Sequence, residues 1–299
     1  MLKIAFHPLF VAPLPEGHRF PMEKYELLPQ QLIRNGIVEE SNFFEPEMVS
    51  EDLLYQVHDA SYIQALERME LPRQAVRKLG LPLNPVMVER EKRIMEGTRM
   101  NAVYALEHGV SFNIAGGTHH AYRDSGEGFC LFNDIAIGAQ FLLNEGMERV
   151  LVVDLDVHQG NGTAKIFENE HRVFTFSMHG DKNYPMKKEV SDLDVPLPDE
   201  TNDTTYLNLL EHHLVNLIDQ FQPQFIFYQA GVDALVSDKL GRLSLTMEGL
   251  KQRDEMVFAT CKNGHIPVAV SMGGGYSPDI KIIVDAHYQT YEIASRLYF

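Results

Sequence analysis

Leu151–Thr163 reads LVVDLDVHQGNGT, and its first half decides what kind of sheet this chain builds. Leu151, Val152 and Val153 are apolar without alternation, as in a parallel strand covered on both faces. The run passes straight into Asp154, Asp156 and His158, then into a turn punctuated by Gly160 and Gly162. In extended backbone alternate side chains share a side, so the three polar groups are expected on one face at the strand tip. Two carboxylates and an imidazole are costly to desolvate together unless they hold a cation or each other. This is what a metal site needs.

Working outward, similar apolar runs occur at Leu2–Phe6, Phe112–Ala115, Val150–Leu155, Val173–Phe176, Phe225–Gln229 and Pro267–Ser271. Helix-like stretches lie between them: Lys24–Arg34, Asp52–Glu67, Glu91–His108, Asp134–Asn144, Tyr206–Phe221, Thr246–Cys261 and Asp279–Ser295. Strand, helix, strand in succession predicts right-handed crossovers and an α/β fold, a mostly parallel central sheet with helices on both faces. No repeat, low-complexity tract or Gly/Ser linker interrupts the 299 residues, so one domain over 1–299 is expected. Leu71–Glu89 is richer in Pro and basic residues and predicts a surface excursion or short helical insert.

Composition narrows the class. Hydrophobic residues make up 44% and charged residues 23%, ordinary for a soluble globular protein. No apolar run reaches the roughly 18 residues of a membrane span, and His7 and Pro8 interrupt the N-terminus too early for a signal peptide. Cys130 and Cys261, the 2 cysteines, stand in unrelated contexts, so no disulfide framework is expected and a reducing cytoplasm fits, with the nucleus an alternative in a eukaryote. The net charge of −16 argues against direct nucleic-acid binding, which needs clustered Lys and Arg. A cationic partner is compatible with that charge, but so is simple solubility.

Three more strand tips carry chemistry. Gln229–Asp233, QAGVD, follows the apolar run FIFY and delivers Asp233. Asp156, His158 and Asp233 together would make a three-ligand site with a vacant coordination position, the mark of catalytic rather than structural zinc. Oxygen-rich ligation suits Fe(II) or Mn(II) as well. Ala115–Ala121, AGGTHHA, supplies His119 and His120, one to take a proton from an attacking water and one to help protonate a leaving amine. Met272–Ser277, MGGGYS, brings backbone close to a ligand through Gly273, Gly274 and Gly275 and presents Tyr276, whose hydroxyl can donate to an oxyanion. Each feature alone has a plain structural explanation: an incidental histidine pair, a helix N-cap at Asp154 or Asp156, a turn at Asp233 or at the glycines. Their co-occurrence at strand tips of one parallel-sheet chain makes chance convergence a poor explanation.

In this order the four segments resemble the signature set of the zinc-dependent histone deacetylases, which share the arginase–deacetylase fold. The resemblance is strong from Phe112 to Tyr276 and weaker in GHRFPMEKY from Gly17; DLDVHQGNGT followed by FTFSMHGDKNYP looks like the class IV branch and its bacterial relatives. It implies Asp156, His158 and Asp233 as zinc ligands, His119 and His120 as the catalytic pair, and Tyr276 as oxyanion donor. Asp154 matches the carboxylate that pairs with His119 and helps hold a structural potassium ion, for which Ser177 is a further ligand. A second, looser monovalent site would involve Phe167, Val173 and Tyr206. Where class I members pair the second histidine with an aspartate, this chain has Asn161, which should leave His120 less basic. In GEGFCLFND, Gly128 and Phe129 resemble the wall of the lysine tunnel, with Tyr184 opposite; Cys130 reads as a small buried residue.

The implied substrate is an acyl-lysine protein or peptide. A binuclear, arginase-like site is not expected, because Ala234 and Leu235 follow Asp233 where a second carboxylate is needed. Acetylpolyamine hydrolases of the family use an acidic gatekeeper; the matching position is Leu240, although Asp238 keeps that alternative open. The small residues of Ala115–Gly117 and Gly273–Gly275, including Gly274 beside the substrate, suggest room for long fatty acyl groups. A catalytically dead acyl-lysine reader would have lost a ligand or the tyrosine, and none is missing.

Overall fold

The computed structural model describes residues 1–299. Eight strands form one sheet: β1 (Lys3–Ala5), β2 (Phe43–Phe44), β3 (Val110–Asn113), β4 (Val150–Asp154), β5 (Val173–Gly180), β6 (Leu193–Leu197), β7 (Phe225–Gln229) and β8 (Val268–Ser271), in the order β2-β1-β3-β8-β7-β4-β5-β6. Every pairing is parallel. The expected doubly covered sheet is therefore present, and strands β3, β4, β7 and β8 are buried along their whole length.

The helices are α1 (Lys24–Arg34), α2 (Glu51–Val57), α3 (Ala60–Glu67), α4 (Arg73–Leu79), α5 (Pro85–His108), α6 (Asp134–Asn144), α7 (Asn161–Phe167), α8 (Asp203–Phe221), α9 (Met247–Asn263) and α10 (Ile280–Tyr298). One layer joins α2, α5 and α6; the other joins α1, α8, α9 and α10. Side-chain caps set several starts: the Asn84, Asn133, Asn202 and Thr246 oxygens each accept an amide from the first turn.

Two elements depart from the sequence reading, and the short helical insert expected at Leu71–Glu89 is present. Asp52–Glu67 is two helices, because His58 leaves the helical path and its buried imidazole bridges the Tyr122 carbonyl and the Asn133 amide. Gln159–Thr163 is not only a turn, since α7 begins at Asn161. The insert at Leu71–Glu89 contains α4 and the start of α5; the Lys78 and Leu79 carbonyls accept the Gly128 and Phe129 amides. No helix is long and apolar enough to cross a membrane.

The register positions the site. Asn113, Ser271, Gln229, Asp154 and Ser177 pair in sequence across β3, β8, β7, β4 and β5, so the loops leaving these strands start from one level. Ligand sites in open parallel sheets form at such carboxyl ends.

Candidate active site

The level row of polar residues organises the loops above it. Ser271 Oγ donates to Asp134 Oδ2 at 2.8 Å, and Gln229 Nε2 donates to the Gly117 carbonyl at 3.0 Å. Asp134, at the start of α6, also accepts the amides of Gly117 and Thr118 and the hydroxyls of Thr98 and Thr118. Its carboxylate fixes the loop that carries His119 and His120, a role its place in the sequence did not announce.

Asp154, Asp156 and His158 were expected to share one face, and this holds only in part. The strand ladder stops at Asp154, and its side chain turns toward the histidine loop: Asp154 Oδ2 lies 2.7 Å from His119 Nδ1. Asp156 and His158, beyond the strand, turn instead toward Asp233. His158 Nδ1 lies 3.0 Å from Asp156 Oδ1 and 3.1 Å from Asp233 Oδ2, and one ligand atom from each of the three falls within 4.8 Å of the others. Each carboxylate has its other oxygen held by backbone, Asp156 Oδ2 by the Gly274 amide at 2.8 Å and Asp233 Oδ1 by the Val157 amide at 2.9 Å. All three residues are buried.

This donor set fits a divalent cation. Burial, followed by the Asp156 charge, pushes the Asp233 carboxyl up to about 7. A bound cation would relieve that cost, since charge taken out of water is stable only when paired. Two carboxylates and one imidazole on pre-oriented backbone match a catalytic rather than a structural site.

The two histidines differ in their supports. Burial opposes the His119 cation, but the adjacent Asp154 carboxylate more than offsets it and raises His119 to about 9. His120 Nδ1 meets Asn161 Oδ1 at 2.6 Å, and burial, with the positive neighbours His119 and His158, holds it well below the usual histidine range. Asn161 Nδ2 is itself anchored to the Tyr122 hydroxyl and Glu127. Tyr276 lines the same cavity, and its amide donates to Asp238 Oδ2 at 2.6 Å.

The glycines are required by close approach. A Cβ on Gly274 would lie 2.0 Å from Asp233 Oδ2, and one on Gly128, at φ +58°, would lie 2.6 Å from His120 Cδ2. Gly128 and Phe129 line the cavity with His119, His120, Asp156, His158, Gly274 and Tyr276. Tyr184 is 38% exposed and meets the His120 ring edge-on at 5.0 Å, which puts it at the rim. Leu240 lies in a neighbouring outer groove that shares Phe20 and Tyr276 with the cavity. Ser177 stands beside Asp154 in register, with its hydroxyl 2.9 Å from His179 Nδ1. Of the looser set, Phe167 closes α7, Val173 opens β5, and the Tyr206 hydroxyl on α8 is buried without a partner. Cys130 and Cys261 are free and buried.

A histone deacetylase domain is matched over residues 18–290. The chain belongs to the histone deacetylase family. An uncharacterized protein from Picosynechococcus sp. is 43% identical over 99% of both chains. Histone deacetylase 2 of Arabidopsis thaliana is 30% identical, covering 90% of this chain and 72% of that one. Among solved structures, an HDAC homolog complexed with SAHA superposes with a TM-score of 0.85 at 24% identity, covering 99% of this chain and 84% of the other, and so supports the fold. The HDAC homolog from Aquifex aeolicus gives a TM-score of 0.84 at 24% identity, over 98% and 84%.

Buried cations of this deacetylase-family chain escaped the sequence reading, among them Lys24 and Arg253. Lys24, fully buried, donates to the Gly273 carbonyl at 3.0 Å, and its ammonium lies 5.8 Å from the Tyr276 ring centroid. Burial lowers it to about 8 against the pull of Asp233 and Asp156. Arg253 on α9 reaches the carbonyl of Gly231 with Nη1 at 2.5 Å and pairs with Asp254 through Nε at 2.8 Å. Gly231 lies against Asp156, so Arg253 braces the ligand loops from behind. Arg253→Met is expected to destabilise the fold by about 3–5 kcal/mol, because it leaves the buried Asp254 carboxylate without a counter-charge, held only by the Tyr228 and Thr290 hydroxyls. Denaturant unfolding measures this, and a loss under about 1 kcal/mol would show that Asp254 has other adequate support.

Proposed function

We propose that this hydrolase-family chain cleaves the amide of N-epsilon-acyl-lysine in a protein or peptide, using Zn²⁺ held by Asp156, His158 and Asp233. The observation that carries the reading is a single cavity lined by His119, His120, Asp156, His158 and Tyr276, with Asp233 closing the donor set behind it. When bound, the cation supplies Lewis acidity and lowers the pKa of an attacking water toward ~7.

The chain's own residues do the rest. Phe129 and Gly128 receive the lysine methylenes and keep water from the amide. With both Nδ1 atoms tied down, by Asp154 and by Asn161, the imidazoles turn their Nε2 atoms to the reacting groups. One takes a proton from the attacking water, and the other gives a proton to the departing amine. The Tyr276 hydroxyl donates to the oxyanion that develops on the amide oxygen. Lys24 holds the glycine loop that carries Tyr276.

The backbone contacts of Asp238 favour acyl-lysine over the acetylpolyamine alternative. Asp238 accepts the amides of Tyr276, Leu240 and Gly241, so its carboxylate already serves the backbone of the loops around Tyr276. Fe²⁺ suits the same ligands. Class IV kinship, a structural K⁺ beside Asp154 and Ser177, and a cytoplasmic setting belong to the same proposal.

An assay of the protein stripped by chelator and reloaded with Zn²⁺ or Fe²⁺, on acetyl-lysine peptides and on acetylspermidine, tests it. Metal-dependent release of acetate, leaving the deacetylated peptide, with little polyamine turnover is expected. Activity that survives stripping, or turnover of the polyamine alone, refutes the proposal.

A further inference from the structure

We propose that buried Arg90, braced from behind by Glu91, forms the end wall of the acyl chamber and is a determinant of acyl length, excluding long aliphatic groups. This rests on the acyl-lysine reading above. The cavity lining runs from partly exposed Gly128 and Tyr276 to fully buried Tyr25, Arg90 and Cys130. The reacting carbonyl must sit where Tyr276, the imidazoles and Asp156 face one another. Tyr25, Arg90, Ala115, Thr118 and Cys130, on the buried side, are left to enclose the acyl group.

That space is small. The whole cavity holds about 40 Å³. One water-sized group needs roughly 10–15 Å³ on this measure, and the lysine channel shares this volume, so the space beyond the reacting carbonyl is only part of it. The glycines that suggested room for a fatty chain do not supply it. A Cβ on Gly116 would meet Asp134 Oδ2 at 2.6 Å and Ser271 Oγ at 2.7 Å, and one on Gly117 would meet the Gly273 nitrogen at 2.6 Å. The volume saved by the missing side chains is already filled by polar groups and backbone.

The end wall is also hard to move. Arg90 is 2% exposed; Nε donates to the Phe10 carbonyl at 3.0 Å, Nη1 pairs with Glu91 Oε1, and the guanidinium lies 5.2 Å from the Tyr25 ring centroid. Glu91 is fully buried, and its Oε2 has no partner. Displacing Arg90 to admit methylenes would therefore strand a buried carboxylate. A tail that reached the wall would meet a guanidinium instead of apolar surface.

The test is kcat/KM for one peptide carrying acetyl-, butyryl-, hexanoyl- or decanoyl-lysine, with the zinc-loaded protein. Wild type is expected to lose about tenfold or more from acetyl to hexanoyl, within the roughly 10–200-fold range of methylene discrimination. Arg90→Met/Glu91→Gln removes both charges together and is expected to raise the hexanoyl-to-acetyl ratio about tenfold. Arg90→Lys keeps a cation for Glu91, guards against misfolding of the double variant, and should shift the ratio in the same direction by less. Metal content and unfolding midpoint report whether each variant is intact. Decanoyl turnover equal to acetyl turnover in wild type, or ratios unchanged in intact variants, overturns the proposal while leaving the acyl-lysine reading standing. Inactivity of the wild type on every peptide overturns both.

Discussion

Asp233→Asn is expected to leave the fold intact while costing the protein its divalent cation and, with it, turnover of acyl-lysine peptides. The amide side chain has nearly the shape of the carboxylate, and its oxygen still accepts the Val157 amide. What disappears is the anionic oxygen 3.1 Å from His158 Nδ1. Residues that merely support a metal ligand typically contribute about 10–100-fold to affinity. Loss of a ligand itself should exceed that range. Competition with a chromophoric chelator gives the affinity directly, and unfolding by denaturant gives the stability. A variant that retains stoichiometric metal at wild-type affinity would remove Asp233 from the site.

Tyr276→Phe carries the second large effect. Removing one preorganised oxyanion donor typically lowers kcat by about 10²–10³. Here the ring is held by neighbours that do not need the hydroxyl, Phe20 at 6.2 Å and Phe129 at 6.0 Å between centroids. The backbone amide is held separately by Asp238. Ground-state binding should therefore persist, and the loss should fall on kcat and kcat/KM alike with KM little changed. Metal content should match the wild type. A raised KM at unchanged kcat would instead make Tyr276 a binding residue.

What the sequence disclosed and what it hid follow one physical distinction. Asp156, His158, Asp233, His119, His120 and Tyr276 stand just beyond strands whose apolar runs are unmistakable, so strand patterning put them at one sheet edge. Lys24, Arg90 and Glu91 sit on helices, where charged residues ordinarily face solvent; their burial depends on tertiary partners such as the Gly273 and Phe10 carbonyls. No local pattern carries that information. The short strands β2 and β6 were missed for a related reason. Leu193–Leu197 alternates and includes exposed Pro196, as an outermost strand can, while Phe43–Phe44 is too brief for any periodicity. Asp134 was visible as the start of a helix, but only the folded chain reveals how many loop donors converge on it.

The level pairing of Asn113, Ser271, Gln229, Asp154 and Ser177 also limits how such a molecule can vary. Deleting one residue inside Val150–Asp154 would reverse the parity of everything downstream, turning Asp154 away from His119 and pulling Asp156 and His158 together out of reach of Asp233. Descendants of this chain are thus free to lengthen or shorten at the amino-terminal rim of the sheet, whereas the opposite rim tolerates exchange of side chains but not a change in count.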